Sequence, residues 1–129
     1  NRELAEITHD ESENDQLFPW QRWTVRNLNG SGAFVTFSTT QAFQHNAVST
    51  SKRNVRLILR KRSGRRWAIV VRRDETHYQS GDEVATVSAE SNRAGSATFR
   101  LGVDFIEESF STLQAGEYTT TVVGTIRTK

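Results

Sequence analysis

The sequence predicts an all-β antiparallel sandwich, and three observations carry that expectation. Apolar residues recur with a period of two, most clearly at Ala97, Phe99, Leu101, Val103 and Phe105, the pattern of a half-buried strand. Turn signals separate the alternating runs: Asn29-Gly30-Ser31-Gly32, Ser63-Gly64, Ser80-Gly81-Asp82 and Asn92-Arg93-Ala94-Gly95. Nothing helical beyond one turn, within Glu107 to Leu113, is supported. At 129 residues the chain is expected to form one domain, and such a length buries roughly two thirds of the unfolded surface.

Taken in order, residues 1–16 are expected to be an acidic, flexible segment. The first fifteen hold six acids against Arg2, too little apolar content for a core. The domain is expected over 17–129, in about seven strands. Trp23 and Val25 mark the first, just after Pro19, where a missing N–H costs no ladder bond. Ala33, Val35 and Phe37 mark the second, and Gln41 to Ser51 reads as a polar loop around Phe43. Val55, Leu57 and Leu59 face Trp67, Ile69 and Val71 across Ser63-Gly64 as the clearest expected hairpin. Ala85, Val87 and Ala89 give another strand, the 97–105 run the next, and Tyr118, Thr120, Val122, Gly124 and Ile126 the last.

Composition removes several chemistries. There is no cysteine, hence no disulfide, thiolate metal site or cysteine nucleophile. No run approaches the ~20 apolar residues of a membrane helix. Methionine is also absent, which reads as a processed or trimmed chain; a cleaved secretory signal is the favoured explanation, so a secreted or cell-surface location is expected. His9, His45 and His77 lack ligand spacing and are expected on the surface or in loops. Asp74-Glu75, Asp82-Glu83 and Glu107-Glu108 are adjacent pairs whose side chains diverge in a strand, poor acid–base couples that read as loop solvation. No nucleophile elbow or phosphate-cradling loop is present. The expectation is a non-enzyme with no metal and no cofactor. Asn29-Gly30-Ser31 fits the N-glycosylation acceptor pattern, which matters only in a eukaryotic secretory chain.

Leu113-x-Ala115-Gly116-x-Tyr118 has the parts of a tyrosine corner. Leu113 fills the core beneath, Gly116 permits a tight path, and the Tyr118 hydroxyl folds back onto backbone upstream, as in Ig-like sandwiches. The segment "AGEYTTTVVGTI" that contains it resembles the C-terminal strand of chaperone–usher fimbrial subunits and related spore-coat-U-like secreted domains, and "GSGAFVTFSTTQAF" is similar to their early strands. The resemblance implies an Ig-like sandwich lacking its last strand, a structural or adhesive role, and completion by strand addition from a protein partner or another copy. The chain departs from that pattern in having no cysteine pair. Its N-terminal segment offers only Ala5 and Ile7 on one face, few anchors for a donor strand, so the isolated chain is expected to be a monomer. A self-complete sandwich, with the strand between Ala97 and Phe105 completing the sheet, is the alternative to a strand-lacking one.

The remaining feature is basic. Ser51 to Arg73 holds ten of the seventeen Lys and Arg residues. Arg60, Lys61, Arg62, Arg65 and Arg66 crowd the expected turn, a field that attracts a polyanionic ligand: sulfated glycan, acidic protein or nucleic acid. Sequence-specific nucleic-acid recognition is not expected, because Trp67 shares the core phase of Ile69 and leaves no aromatic on the basic face. Two alternatives compete with binding: a solvated face that discourages edge pairing, or neutralisation by the acidic N-terminus.

Overall fold

A computed structural model of the chain describes residues 4–129. Its strands are β1 (Gln16–Leu17), β2 (Gln21–Asn27), β3 (Ala33–Thr39), β4 (Phe43–His45), β5 (Lys52–Arg53) and β6 (Val55–Ser63). They continue with β7 (Trp67–Val71), β8 (Arg73–Glu75), β9 (Thr86–Ser91), β10 (Gly95–Phe105), β11 (Tyr118–Thr119) and β12 (Val122–Thr128). The helical turn expected within Glu107 to Leu113 is a 3-10 turn over Phe110–Thr112, and a second 3-10 turn, not expected from the sequence, spans Tyr78–Ser80.

The all-β sandwich expected from the sequence is the fold of the chain, with twelve strands among the described residues rather than about seven. The seven longer strands are the seven alternating runs. The five others, β1, β4, β5, β8 and β11, are two or three residues long, too short to show a period. β4 lies within what reads as a polar loop.

Every pairing is antiparallel. The first sheet runs β2–β10–β6–β8, with β1 pairing the far end of β10; the second runs β12–β3–β9–β7; a small third sheet is β11–β4–β5. β2–β10–β6 and β3–β12 occupy the B–E–D and C–F positions of the Ig order, and β7 to β9 are inserted between D and E. The positions of A and G would lie along β2 and β12, and among the described residues those two edges have no neighbour.

One expected pairing is absent. β6 and β7 do not form a ladder with each other: β6 pairs β10 and β8, while β7 pairs β9 in the other sheet. The core decides this. Trp67 is 1% exposed, its Nε1 donates to the Gly95 carbonyl at 3.1 Å, and its ring meets Phe99 edge-on at 5.9 Å. Reaching that place carries the chain across the sandwich directly after the turn. A bulge between Ile69 and Val71 then shifts the phase, so Val71 is exposed instead of core.

The core lies between the two large sheets, with Phe37, Leu57, Leu59, Val87, Phe99 and Leu101 fully buried. At one end it continues as a chain of aromatic contacts. Phe18 stacks on Phe43 at 5.7 Å, Phe43 meets Phe105 at 5.1 Å, Phe105 meets Tyr118 at 5.7 Å, and Tyr118 meets His45 at 5.2 Å.

Residues 4–15 hold no strand, but several of them are tied to this end. His9 Nε2 lies 2.7 Å from Glu107 Oε2 and its ring stacks on Phe110 at 5.1 Å. Glu13 accepts the Phe110 N–H at 3.0 Å, and Asp15 accepts the Glu107 N–H at 2.9 Å.

Candidate functional site

Three places carry the groups that the sequence singles out. The first is the corner before β11. The Tyr118 hydroxyl donates to the Gln114 carbonyl, four residues upstream, at 2.7 Å and shares a 2.6 Å hydrogen bond with Ser51 Oγ. Leu113 packs partly buried against the core. Gly116 serves a residue that sequence reasoning missed. Its φ is +143°, and a Cβ there would stand 2.1 Å from His45 Nε2, so any other side chain would displace the imidazole.

His45, expected at the surface, is 7% exposed. Its Nε2 donates to the Ala115 carbonyl at 2.8 Å, and its Nδ1 accepts the N–H groups of Ala47 and Val48, both at 3.0 Å. Both ring nitrogens are spent on backbone, which makes His45 the pin between β4 and the corner. The run from Tyr118 also breaks: Tyr118 and Thr119 pair β4, while Val122 onward pairs β3.

The second place is the buried charge cluster next to the corner. Glu107 reads from sequence as loop solvation, yet its side chain is fully buried. Arg53 donates through Nε to Glu107 Oε1 at 3.0 Å, and its other nitrogens donate to Lys52 O, Ser109 O and Thr112 Oγ1. Beside it, Arg56 meets Asp104 at 3.2 Å, Asp15 at 3.3 Å and Glu75 at 3.5 Å. Burial works against the Arg56 charge, but the Asp104 hydrogen bond and the surrounding acids hold its pKa above the ordinary arginine value. For Asp104 burial dominates and raises its pKa, although Arg56 pulls the other way. Among the described residues the acidic N-terminus thus pairs with Arg56 through Asp15 and makes no ion pair with the basic turn.

The third place is the basic surface, and the fold distributes the five expected residues. Arg60 is on the outer face of the first sheet, directly opposite Arg100 of β10. Lys61 shares the phase of Phe99 and turns back, its Nζ donating to the Trp67 carbonyl at 2.8 Å. It helps line an opening of about 560 Å³ together with Leu59, Arg60, Ile69 and Arg72. Arg65 and Arg66 face elsewhere, lining a cleft of about 340 Å³ with Asn92 and Arg93. Arg62 is exposed beside the β6–β10 bulge. Arg100 in turn opposes Arg22 of β2, so Arg22, Arg100 and Arg60 form one row across three strands. Trp20 lies beside the row: its ring packs on Gly102, where a Cβ would come within 2.8 Å, and the Arg60 guanidinium lies over it at 5.0 Å.

Arg22, Arg100 and Trp20 were missed by sequence reasoning. Arg22 and Arg100 occupy the outward phase of their strands, the only local signal available; their adjacency arises from pairing across more than seventy residues.

Among the described residues no cluster of three or more His, Cys, Asp or Glu side chains is placed to hold a metal ion, and no helix is long and apolar enough to cross a membrane. Compared with known proteins, the chain matches no family model, no curated protein and no solved structure.

Proposed function

We propose that this chain is a secreted structural or adhesive module of a cell-surface assembly, comparable to a fimbrial subunit, in which the edge of β12 receives a strand from a second copy. The observation that supports this reading is the state of β12. Among the described residues it pairs β3 on one side only, its Val123 and Ile126 are 48% and 50% exposed, and the Ig order leaves position G beside it. An edge of this kind presents a row of unpaired N–H and C=O groups and apolar side chains, which strand addition satisfies together. Ala5 and Ile7 are few anchors for a donor strand, so association is weak, in the micromolar to millimolar range or about 4–8 kcal/mol.

Sedimentation of the full chain at rising concentration tests the reading. Reversible association is expected, weakened by removing residues 1–8 and abolished by Val123→Lys with Ile126→Lys, since edge lysines block pairing. A parent chain that stays monomeric to about 1 mM overturns it.

A further inference from the structure

The outer face of the first sheet combines two properties that call for an explanation. Arg22, Arg100 and Arg60 are all exposed and stand in register on neighbouring strands, so the row spans roughly 10 Å at the usual strand spacing. None of the three has a carboxylate partner among the described residues. Like charges directly opposite each other destabilise a sheet, so the free protein carries a cost that a bound polyanion removes. The same face continues along the strands with hydroxyls and another cation: Thr98 opposes Thr24, and Ser96 opposes Arg26, each step about 6.8 Å from the last.

We infer that this face binds a linear sulfated polysaccharide, with the guanidinium groups of Arg22, Arg100 and Arg60 on its sulfates and the threonine row beside them. The planar guanidinium donates in pairs to an oxyanion, and the hydroxyls suit sugar hydroxyls between charges. Single-stranded nucleic acid fits less well, because binding it needs free aromatic faces for base stacking. Trp20 spends its ring on Gly102 and Arg60, and Trp67 is buried. This site is separate from the β12 edge and stands independently of the strand-addition reading.

The test uses the whole chain with a heparin oligosaccharide, and an oligo-dT of equal charge as the competing class. In about 50 mM salt the heparin oligosaccharide is expected to bind at least about tenfold more tightly than oligo-dT, and to weaken steeply by about 200 mM salt. Arg100→Thr should lower the heparin affinity about tenfold or more and flatten the salt dependence. It should also raise the melting temperature of the free protein and cancel most of the heparin-induced rise seen in the parent, a pair of effects that simple unfolding cannot mimic. Arg65→Ser with Arg66→Ser should bind like the parent. No heparin binding at about 50 mM salt, unchanged affinity in Arg100→Thr, loss in the Arg65/Arg66 variant equal to that of Arg100→Thr, or oligo-dT binding as tightly as heparin would each overturn the inference.

Discussion

The end of the sandwich around Glu107 and Tyr118 and the outer face of the first sheet are both rich in arginine, and they use it in opposite ways. At the closed end Arg53 and Arg56 are paired with Glu107, Asp104, Asp15 and Glu75, and only Arg56 Nε and Asp104 Oδ1 are buried without a partner among the described residues. Across the sheet Arg22, Arg100 and Arg60 stand together with no carboxylate in reach among the described residues. The outward positions of β10 run from one regime to the other in five residues. Arg100 is exposed, Gly102 is covered by Trp20, and Asp104 is buried against Arg56. Charge density along a sequence therefore says little about availability. What decides it is which strands bring an acid alongside.

The largest effect is expected from emptying the closed end. Glu107→Ala leaves the Arg53 guanidinium buried without its carboxylate and takes away the partner of His9. Breaking a buried pair on one side typically costs about 3–5 kcal/mol, which a urea denaturation series would read as a shifted midpoint. A change below about 0.5 kcal/mol, the scale of an exposed pair, would erase the distinction between the two regions.

A smaller loss sharpens the same contrast. Tyr118→Phe keeps the ring packed against Phe105 and His45 but removes the donor to Gln114 and the contact with Ser51. One hydrogen bond of this kind is worth about 0.5–1.5 kcal/mol. An unmoved denaturation midpoint would reduce the corner to an ordinary turn.

What the sequence reveals and what it hides follow the same division. The seven long strands are legible because their apolar residues alternate, most of them burying one face as β3, β9 and β10 do, and Leu113, Gly116 and Tyr118 are legible because a corner is local. The route from β6 to β7 is hidden, since a turn at Ser63-Gly64 joins two strands equally well within a sheet or across it; only the place waiting for Trp67 beneath Gly95 and Phe99 selects the crossing. The arginine row is hidden for a related reason. Arg60 is conspicuous among its basic neighbours, whereas Arg22 and Arg100 are ordinary until β2 and β6 flank β10. Glu107 is misleading because an acid next to an acid reads as solvated, and its partners His9 and Arg53 come from 98 and 54 residues away.

The smallest expected effect lies at the border between the two regions and depends on pH. Burial raises Asp104, so the folded chain holds its proton more tightly than the unfolded chain does. Its stabilising contribution is full below the ordinary aspartate value and is lost as pH rises through the higher folded value. Glu83 behaves oppositely. The hydrogen bond from Lys52 Nζ, at 2.9 Å, lowers its pKa, so its contribution is present above the ordinary glutamate value and lost as pH falls through the folded one. Melting curves of the parent, Asp104→Asn and Glu83→Gln between about pH 3 and 6 separate the two. The constant offset of the Asp104→Asn curve carries the lost Arg56 contact, while its slope carries the titration. Relative to the parent, Asp104→Asn should gain stability as pH rises and Glu83→Gln should lose it. Curves that run parallel to the parent in both variants would mean that neither carboxyl binds its proton differently in the folded and unfolded chain, and the boundary drawn along β10 would vanish.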